Sequence, residues 1–283
     1  MPREGRMAFV TGAVRAGLAG SRALVATGLT GVALGAVCLG AALVRGPEVP
    51  PEGNLMDTAT FDGALGVFVL TLALLVPGVA WTPRGRRRWT RWLVGLTAYA
   101  YTIETVQAFR GLDPRFSRVA TPLDSAAGGV FFLTALGVLV CASVVAVKYF
   151  RASPTPLVVA IRYGAAASWI AFGVGIWMSL VVQGRFVPEA GNLLVVHAAG
   201  FHGLQAIPLV ALLSGWAREA PHTTRRRVHV AGIAWAAACV MLAWQSGTGR
   251  AVAELSPAMA LAGLSLALVA VVGLSALAAW FAE

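Results

Sequence analysis

The sequence predicts an all-α integral membrane bundle of about eight transmembrane helices with both ends on the cytoplasmic side, and three observations predict it. Hydrophobic residues make up 58% of the 283-residue chain and charged residues only 12%, where soluble domains carry roughly a quarter charged residues. The apolar residues gather into eight stretches near the roughly 20 residues that a helix needs to cross the hydrocarbon core. Arg and Lys alternate between rich and poor connections along the whole chain.

The stretches are 22–44, 63–82, 92–109, 125–147, 157–182, 193–214, 228–245 and 256–281. The first exceeds the roughly 7–15 apolar residues of a secretory h-region and reads as a retained helix rather than a cleaved signal. The second follows a Pro-rich connection (Pro47, Pro50, Pro51) that carries Glu48, Glu52, Asp57 and Asp62 and is expected to be irregular. The third opens on Arg86-Arg-Arg-Trp-Thr-Arg-Trp. Before the fourth, Thr121-Pro-Leu-Asp124 has the form of a helix start, with Thr as N-cap, Pro at N1 and an acid at N3. Arg162 near the start of the fifth can snorkel to the interface. The sixth carries two His and Pro208, which removes a backbone donor and kinks it. The seventh opens on Arg225-Arg-Arg-Val-His, and the eighth is apolar nearly throughout. The segments lack the alternation of an outer-membrane barrel. No hydrophilic stretch is long enough for a separate domain, so residues 1–283 read as one transmembrane domain.

Sixteen of the 22 basic residues fall in one set of connections: Arg3, Arg6, Arg15 and Arg22; Arg84, Arg86, Arg87, Arg88 and Arg91; Lys148, Arg151 and Arg162; Arg218, Arg225, Arg226 and Arg227. The other set holds Arg45, Arg110, Arg115, Arg118, Arg185 and Arg250. The positive-inside rule makes the rich set cytoplasmic. The two basic runs lie four helices apart, a spacing that fits a parallel four-plus-four repeat. The plainer reading, preferred here, is that both are cytoplasmic anchors. The +10 net charge therefore marks anchors on an anionic leaflet rather than a nucleic-acid surface. Arg outnumbers Lys 21 to 1, which suggests a GC-rich bacterial gene and a place in the bacterial cytoplasmic membrane. Cys38, Cys141 and Cys239 all sit within apolar segments and read as small buried hydrophobes. Neither a nucleotide P-loop nor a serine-hydrolase elbow is present.

Ionisable groups inside a bilayer are costly, so each is a site candidate. Tyr101, Glu104 and Gln107 recur every three residues on the third helix and form one stripe, with Arg110 at its outer end. Glu104 lies roughly 9 Å below Arg110 along the axis, too far for direct pairing but bridgeable through Gln107. The sixth helix reads His197-Ala-Ala-Gly-Phe-His202-Gly-Leu-Gln205, with both His and the Gln on one broad face. Glu104, His197, His202 and Asp124 are the expected catalytic groups, although Asp124 also suits a capping role. Gln107, Arg110, Gln205, Tyr101 and Trp177 are the expected substrate contacts. The i, i+5 spacing of the two His is poor for chelation. No metal site is assigned, and His197, His202 and Glu104 remain weak metal candidates. Cofactors are unknown and none is required. In the deduced topology Glu104, Gln107, Arg110, Asp124, Gln183 and His197 share the outer half of the membrane, with His202 and Gln205 nearer its middle. The density of charge in residues 110–118 suggests specific pairing rather than a loose connection.

At these residues the chain resembles a family of uncharacterised bacterial multi-pass membrane proteins. The resemblance spans residues 95–210 and runs through Glu104, Gln107, Arg110, Gly111, Phe116, Thr121 and Asp124, then His197, Gly200, His202, Leu204 and Gln205. Two departures stand out: Pro114-Arg115-Phe116-Ser117 lacks the family His, and Asn192-Leu-Leu replaces Asp-Leu-Arg. The resemblance points to which residues matter and implies no particular activity.

Three function classes fit the polar layer. The first is an acid–base enzyme of cyclase, isomerase or transferase type acting on a lipid-like or isoprenoid substrate. The second is a proton-coupled transporter of a small solute. The third is a structural, metal-binding or haem-binding membrane protein. The lipid bilayer is the expected partner, with no nucleic acid.

Overall fold

The computed structural model describes residues 20–180, 186–187 and 191–282. Eight long helices account for most of them: α1 (Arg22–Arg45), α2 (Leu55–Leu75), α3 (Pro83–Phe109), α4 (Pro122–Arg151), α5 (Pro156–Leu180), α6 (Leu193–Trp216), α7 (Pro221–Gly247) and α8 (Pro257–Ala282). Seven are long and apolar enough to cross a membrane, and the chain is a multi-pass, all-α membrane protein. The exception is α3. Its first turns carry five Arg and its last turns the Tyr101, Glu104 and Gln107 stripe, so its length suffices but its mean hydropathy does not. Gln183 and Arg185, like Arg3, Arg6 and Arg15, lie outside the described residues.

Four of the helices, α2, α3, α4 and α7, begin before their apolar runs, because polar caps and basic first turns extend them. α3, expected from residue 92, starts at Pro83, and α2, expected from residue 63, starts at Leu55. Asn54 is its N-cap: Oδ1 accepts from the backbone N–H of Met56 at 2.9 Å and of Asp57 at 3.1 Å, which satisfies two of the donors that a helix start leaves orphaned. Asp62 thereby moves from the expected loop to two turns inside a helix. The Pro-rich connection is not irregular either. Glu48–Val49 (β1) and Gly53–Asn54 (β2) pair antiparallel, Glu48 opposite Asn54 and Val49 opposite Gly53.

By its contacts the chain divides into two compact units, Met1–Lys148 and Tyr149–Glu283. Each contains a helix, a two-stranded hairpin and three further helices. The second hairpin, Phe186–Val187 (β3) with Gly191–Asn192 (β4), has the same register, Phe186 opposite Asn192 and Val187 opposite Gly191. Asn192 caps α6 as Asn54 caps α2, its Oδ1 accepting from Leu194 N at 2.9 Å. Leu55 and Leu193, the first residues of those helices, are both fully buried. The pairs Gly53/Gly191, Asn54/Asn192, Leu55/Leu193, Pro83/Pro221, Gln107/Gln245 and Gly111/Gly249 are each 138 positions apart. Gly111 and Gly249 both have positive φ, 79° and 78°, the conformation a glycine adopts cheaply just past a helix. Both last helices start on a hydroxyl followed by Pro. Thr121 Oγ1 accepts from Asp124 N at 3.2 Å and Ser256 Oγ from Met259 N at 3.1 Å. Both units therefore use the same local rules in the same order, which extends to caps and turns the repeat that the basic runs hinted at.

Small residues let the first two helices of each unit approach closely, as membrane packing favours. A Cβ on Gly66 of α2 would lie 2.7 Å from Gly28 O of α1, and one on Gly28 would lie 2.9 Å from Gly66 O. In the second unit a Cβ on Gly200 of α6 would lie 2.7 Å from Ala167 O of α5. At the basic ends, side chains cap the carbonyls left over where helices stop. Arg162 donates to the carbonyls of Tyr149 and Ala152 at the end of α4, and Lys148 donates to Ala80 O at 2.7 Å. Arg162 is thus tied to protein carbonyls rather than only reaching for the interface.

Gly66→Val tests the close α1–α2 approach. Forcing methyl groups against backbone should destabilise the protein by about 1–3 kcal/mol, read as a lower Tm in detergent. Gly40→Val, which meets nothing within 4 Å, should leave the Tm unchanged. Equal shifts in the two variants would show that the helices do not pack this way.

Candidate functional site

The first unit buries a cluster of ionisable side chains between α2 and α3. Thr105 Oγ1 of α3 donates to Asp62 Oδ2 at 2.8 Å. The preceding residue, Glu104, is fully buried, and its Oε1 accepts from Arg115 Nη2 at 2.8 Å. Tyr101, one turn further down the stripe, is 3% exposed. Its hydroxyl is so close to Gly31 of α1 that a Cβ there would lie 2.3 Å from it. Three oxygens of this cluster, Asp62 Oδ1, Tyr101 Oη and Glu104 Oε2, are buried with no hydrogen-bond partner among the described residues. Each such group costs on the order of 1–3 kcal/mol, so holding three together is a substantial local cost.

Arg115 reaches Glu104 from the connection between α3 and α4, and local chemistry fixes its approach. Asp113 Oδ1 accepts from the backbone N–H of Arg115 at 2.8 Å and of Phe116 at 3.0 Å, an Asx turn of the kind short polar side chains form. The guanidinium also lies over the Phe61 ring, 5.5 Å from its centroid, a cation–π contact from the helix that carries Asp62. Glu52 in the first hairpin anchors the far side of the connection by accepting from Ser117 Oγ and from Arg118 N. Those bonds, the Ser117 hydroxyl first, hold the Glu52 carboxyl below the usual carboxylate range. The charge-dense connection is therefore specifically paired, as its composition suggests.

Gln107, Arg110 and Asp124 form a second group above the first. Arg110 Nη1 donates to Asp124 Oδ1 at 2.6 Å and to Gln107 Oε1 at 2.8 Å, while Gln107 Nε2 donates to Asp124 Oδ1 at 3.0 Å. Thr121 Oγ1 donates to Asp124 Oδ2 at 2.7 Å. Both Asp124 oxygens are thus engaged, and the residue holds the Thr121 cap of α4 while tying that helix to α3. The expected bridge from Arg110 through Gln107 leads to Asp124, and Glu104 takes Arg115 instead.

The remaining sequence candidates belong to the second unit. His197 Nδ1 donates to Ala171 O at 2.7 Å, since a carbonyl can only accept, and its ring meets Phe201 edge-on at 4.9 Å. His202 is exposed and Gln205 half-buried. Trp177 is 39% exposed and lies across Gly247, where a Cβ would be 3.1 Å from its ring. Among the described residues, no three His, Cys, Asp or Glu side chains gather as a metal site would require. The positions 138 after Asp62, Tyr101 and Glu104 are Gly200, Cys239 and Leu242, all buried, so the second unit has the scaffold without the acids.

Sequence reasoning missed Asp62 and Arg115. The signal for Asp62 was Asn54-Leu-Met-Asp57, an N-cap followed at N3 by an acid, which starts α2 eight residues earlier than the apolar run does. Arg115 stood out as part of the charge-dense connection and as a departure from a family pattern, with no partner indicated. Its partner cannot be read from spacing, because the pairing joins a loop to a helix interior.

Fold and cluster together define a multi-pass membrane protein with a buried acid site in its first four helices. Comparison with protein-family models, with curated proteins and with solved structures finds no match to this chain.

The Arg115–Glu104 pair has a direct energetic test. Arg115→Ala leaves a buried carboxylate uncompensated and should cost on the order of 2–3 kcal/mol, seen as a lower Tm. In a Glu104→Gln background the same substitution should cost much less. An equal loss in both backgrounds would mean that Arg115 acts on stability without Glu104.

Proposed function

We propose that the protein is a permease of the bacterial cytoplasmic membrane, both termini in the cytoplasm, that couples movement of a small solute to proton uptake by Asp62, with Glu104 as the fixed charge beside it. The observation that carries this reading is the cluster of three buried oxygens, on Asp62, Tyr101 and Glu104, with no hydrogen-bond partner among the described residues. Acids within membrane bundles are typical proton relays. Two ionised acids against one Arg115 guanidinium leave one negative charge, which a single proton neutralises. Asp62, whose neighbour is the neutral Thr105 hydroxyl, is the better place for that proton. Glu104 is held by a cation and stays the fixed countercharge. Tyr101, with a hydroxyl that can donate or accept, links the group to a solute or to water. The repeated element order supports the same reading, since internal repeats recur in transporter folds.

An acid–base enzyme on a lipid-like or isoprenoid substrate is the second reading, and one observation favours it. The two carboxyl groups have unlike neighbours, a hydroxyl for Asp62 and a guanidinium for Glu104, which is how one site separates a general acid from a general base. His197 and His202 belong to the second unit, and neither reading assigns them a step.

Purified protein in liposomes loaded with a pH-sensitive dye distinguishes the two. Under an inward proton gradient, small amines, amino acids and sugars are offered singly outside. Solute-dependent acidification of the lumen is expected with at least one of them, lost in Asp62→Asn and Glu104→Gln and kept in Arg226→Gln. No solute-dependent flux, with conversion of an added polyprenyl lipid instead, would replace the permease with the enzyme.

A further inference from the structure

The basic end of the first unit holds a second feature that proton exchange does not use. A cavity of about 700 Å³ lies where α2 ends and α3 begins. Arg87, Thr90 and Arg91 line it from one face of α3, as their i, i+3, i+4 spacing requires. Arg86 and Thr82 line it at the start of that helix, and the opposite wall is apolar, with Val76, Pro77 and Trp81. Among the described residues no carboxylate lies in the lining and none of the three Arg has an ion pair; Arg86 donates to Gly20 O and Ser21 Oγ. Three guanidinium groups facing a cavity without an acid concentrate positive charge where only an anion can answer it. The α3 N-terminus adds the positive end of a helix dipole. Trp81 is fixed by donating to Val76 O at 3.1 Å and by the Lys148 ammonium 4.4 Å above its ring. It stands beside Trp89 at 5.4 Å, as in the aromatic belt of a membrane interface.

We infer that this cavity binds the phosphate group of an anionic phospholipid, the guanidinium groups of Arg86, Arg87 and Arg91 taking its oxygens and the Val76–Pro77–Trp81 wall taking the glycerol end of the chains. Guanidinium forks suit phosphate oxygens, and basic pockets between helices at the membrane edge are how proteins hold such headgroups. A soluble phosphate would use the same arginines but not the apolar wall.

The test compares two double variants that remove equal charge from the same helix end. Arg87→Gln/Arg91→Gln strips the cavity, whereas Arg84→Gln/Arg88→Gln removes two exposed guanidinium groups outside it. Full-length protein in neutral detergent is titrated with phosphatidylglycerol, phosphatidylcholine or inorganic phosphate, and Trp fluorescence and native mass spectrometry report binding. Phosphatidylglycerol should bind the wild type and the Arg84/Arg88 variant alike. Binding should weaken about tenfold or more in the cavity variant, as loss of a charge-assisted hydrogen bond predicts. Equal weakening in both variants would reduce the effect to diffuse surface charge and overturn the site. Preference for phosphatidylcholine would overturn it as well. Saturable inorganic phosphate binding that phosphatidylglycerol does not displace would overturn the lipid assignment and leave a soluble phosphate as the ligand.

Discussion

A carboxylate in the middle of a membrane bundle must be met by a countercharge or a proton, and the first unit is arranged around that requirement. Glu104 is fully buried on α3, and its counterion comes from the connection that follows the helix. That connection must then be held in place. Asp113 turns the backbone at Arg115, Glu52 anchors Ser117 and Arg118, and Gly111 turns the chain at positive φ. Close packing of α1 on α2 confines the Tyr101 hydroxyl beside Gly31. Remove the buried acid, and much of this apparatus has nothing to hold.

The second unit shows what the scaffold is without the acids. It has the same hairpin register, Asn cap, post-helix glycine and hydroxyl–Pro start to its last helix. Gln245 lies where Gln107 does in the repeat and likewise ties its helix to the next, accepting from Ser256 Oγ at 2.6 Å and donating to the carbonyls of Ala251 and Glu254. Its buried interior there is Cys239 and Leu242 rather than Tyr101 and Glu104. The local architecture is thus common to both halves, while the buried acids Asp62 and Glu104 lie in the first.

The helices were legible because apolar length is a strong signal in a membrane chain. Their starts were less so, since polar caps and basic turns lie outside any hydropathy window. Asn54 shows the consequence: ignoring it kept Asp62 in a loop and out of the site. The stripe of Tyr101, Glu104 and Gln107 followed from helical periodicity alone, and the Thr121 cap of α4 from Thr121-Pro-Leu-Asp. Partner choice was not legible. Glu104 pairs with Arg115 across an 11-residue separation set by an Asx turn, and Arg110 with Asp124 across 14. Such pairings depend on how a connection folds back over the helix ends, and local sequence does not encode that with any period.

The central claim is that the Asp62–Glu104 cluster takes up a proton. Infrared difference spectroscopy of the protein in lipid, recorded between acid and alkaline buffer, reads the carbonyl stretch of protonated carboxyl groups directly. The account predicts a buried-carboxyl band in the wild type that Asp62→Asn removes and Glu104→Gln shifts, while Glu219→Gln leaves it unchanged. A band untouched by both Asp62→Asn and Glu104→Gln would contradict it, because the proton would then reside elsewhere.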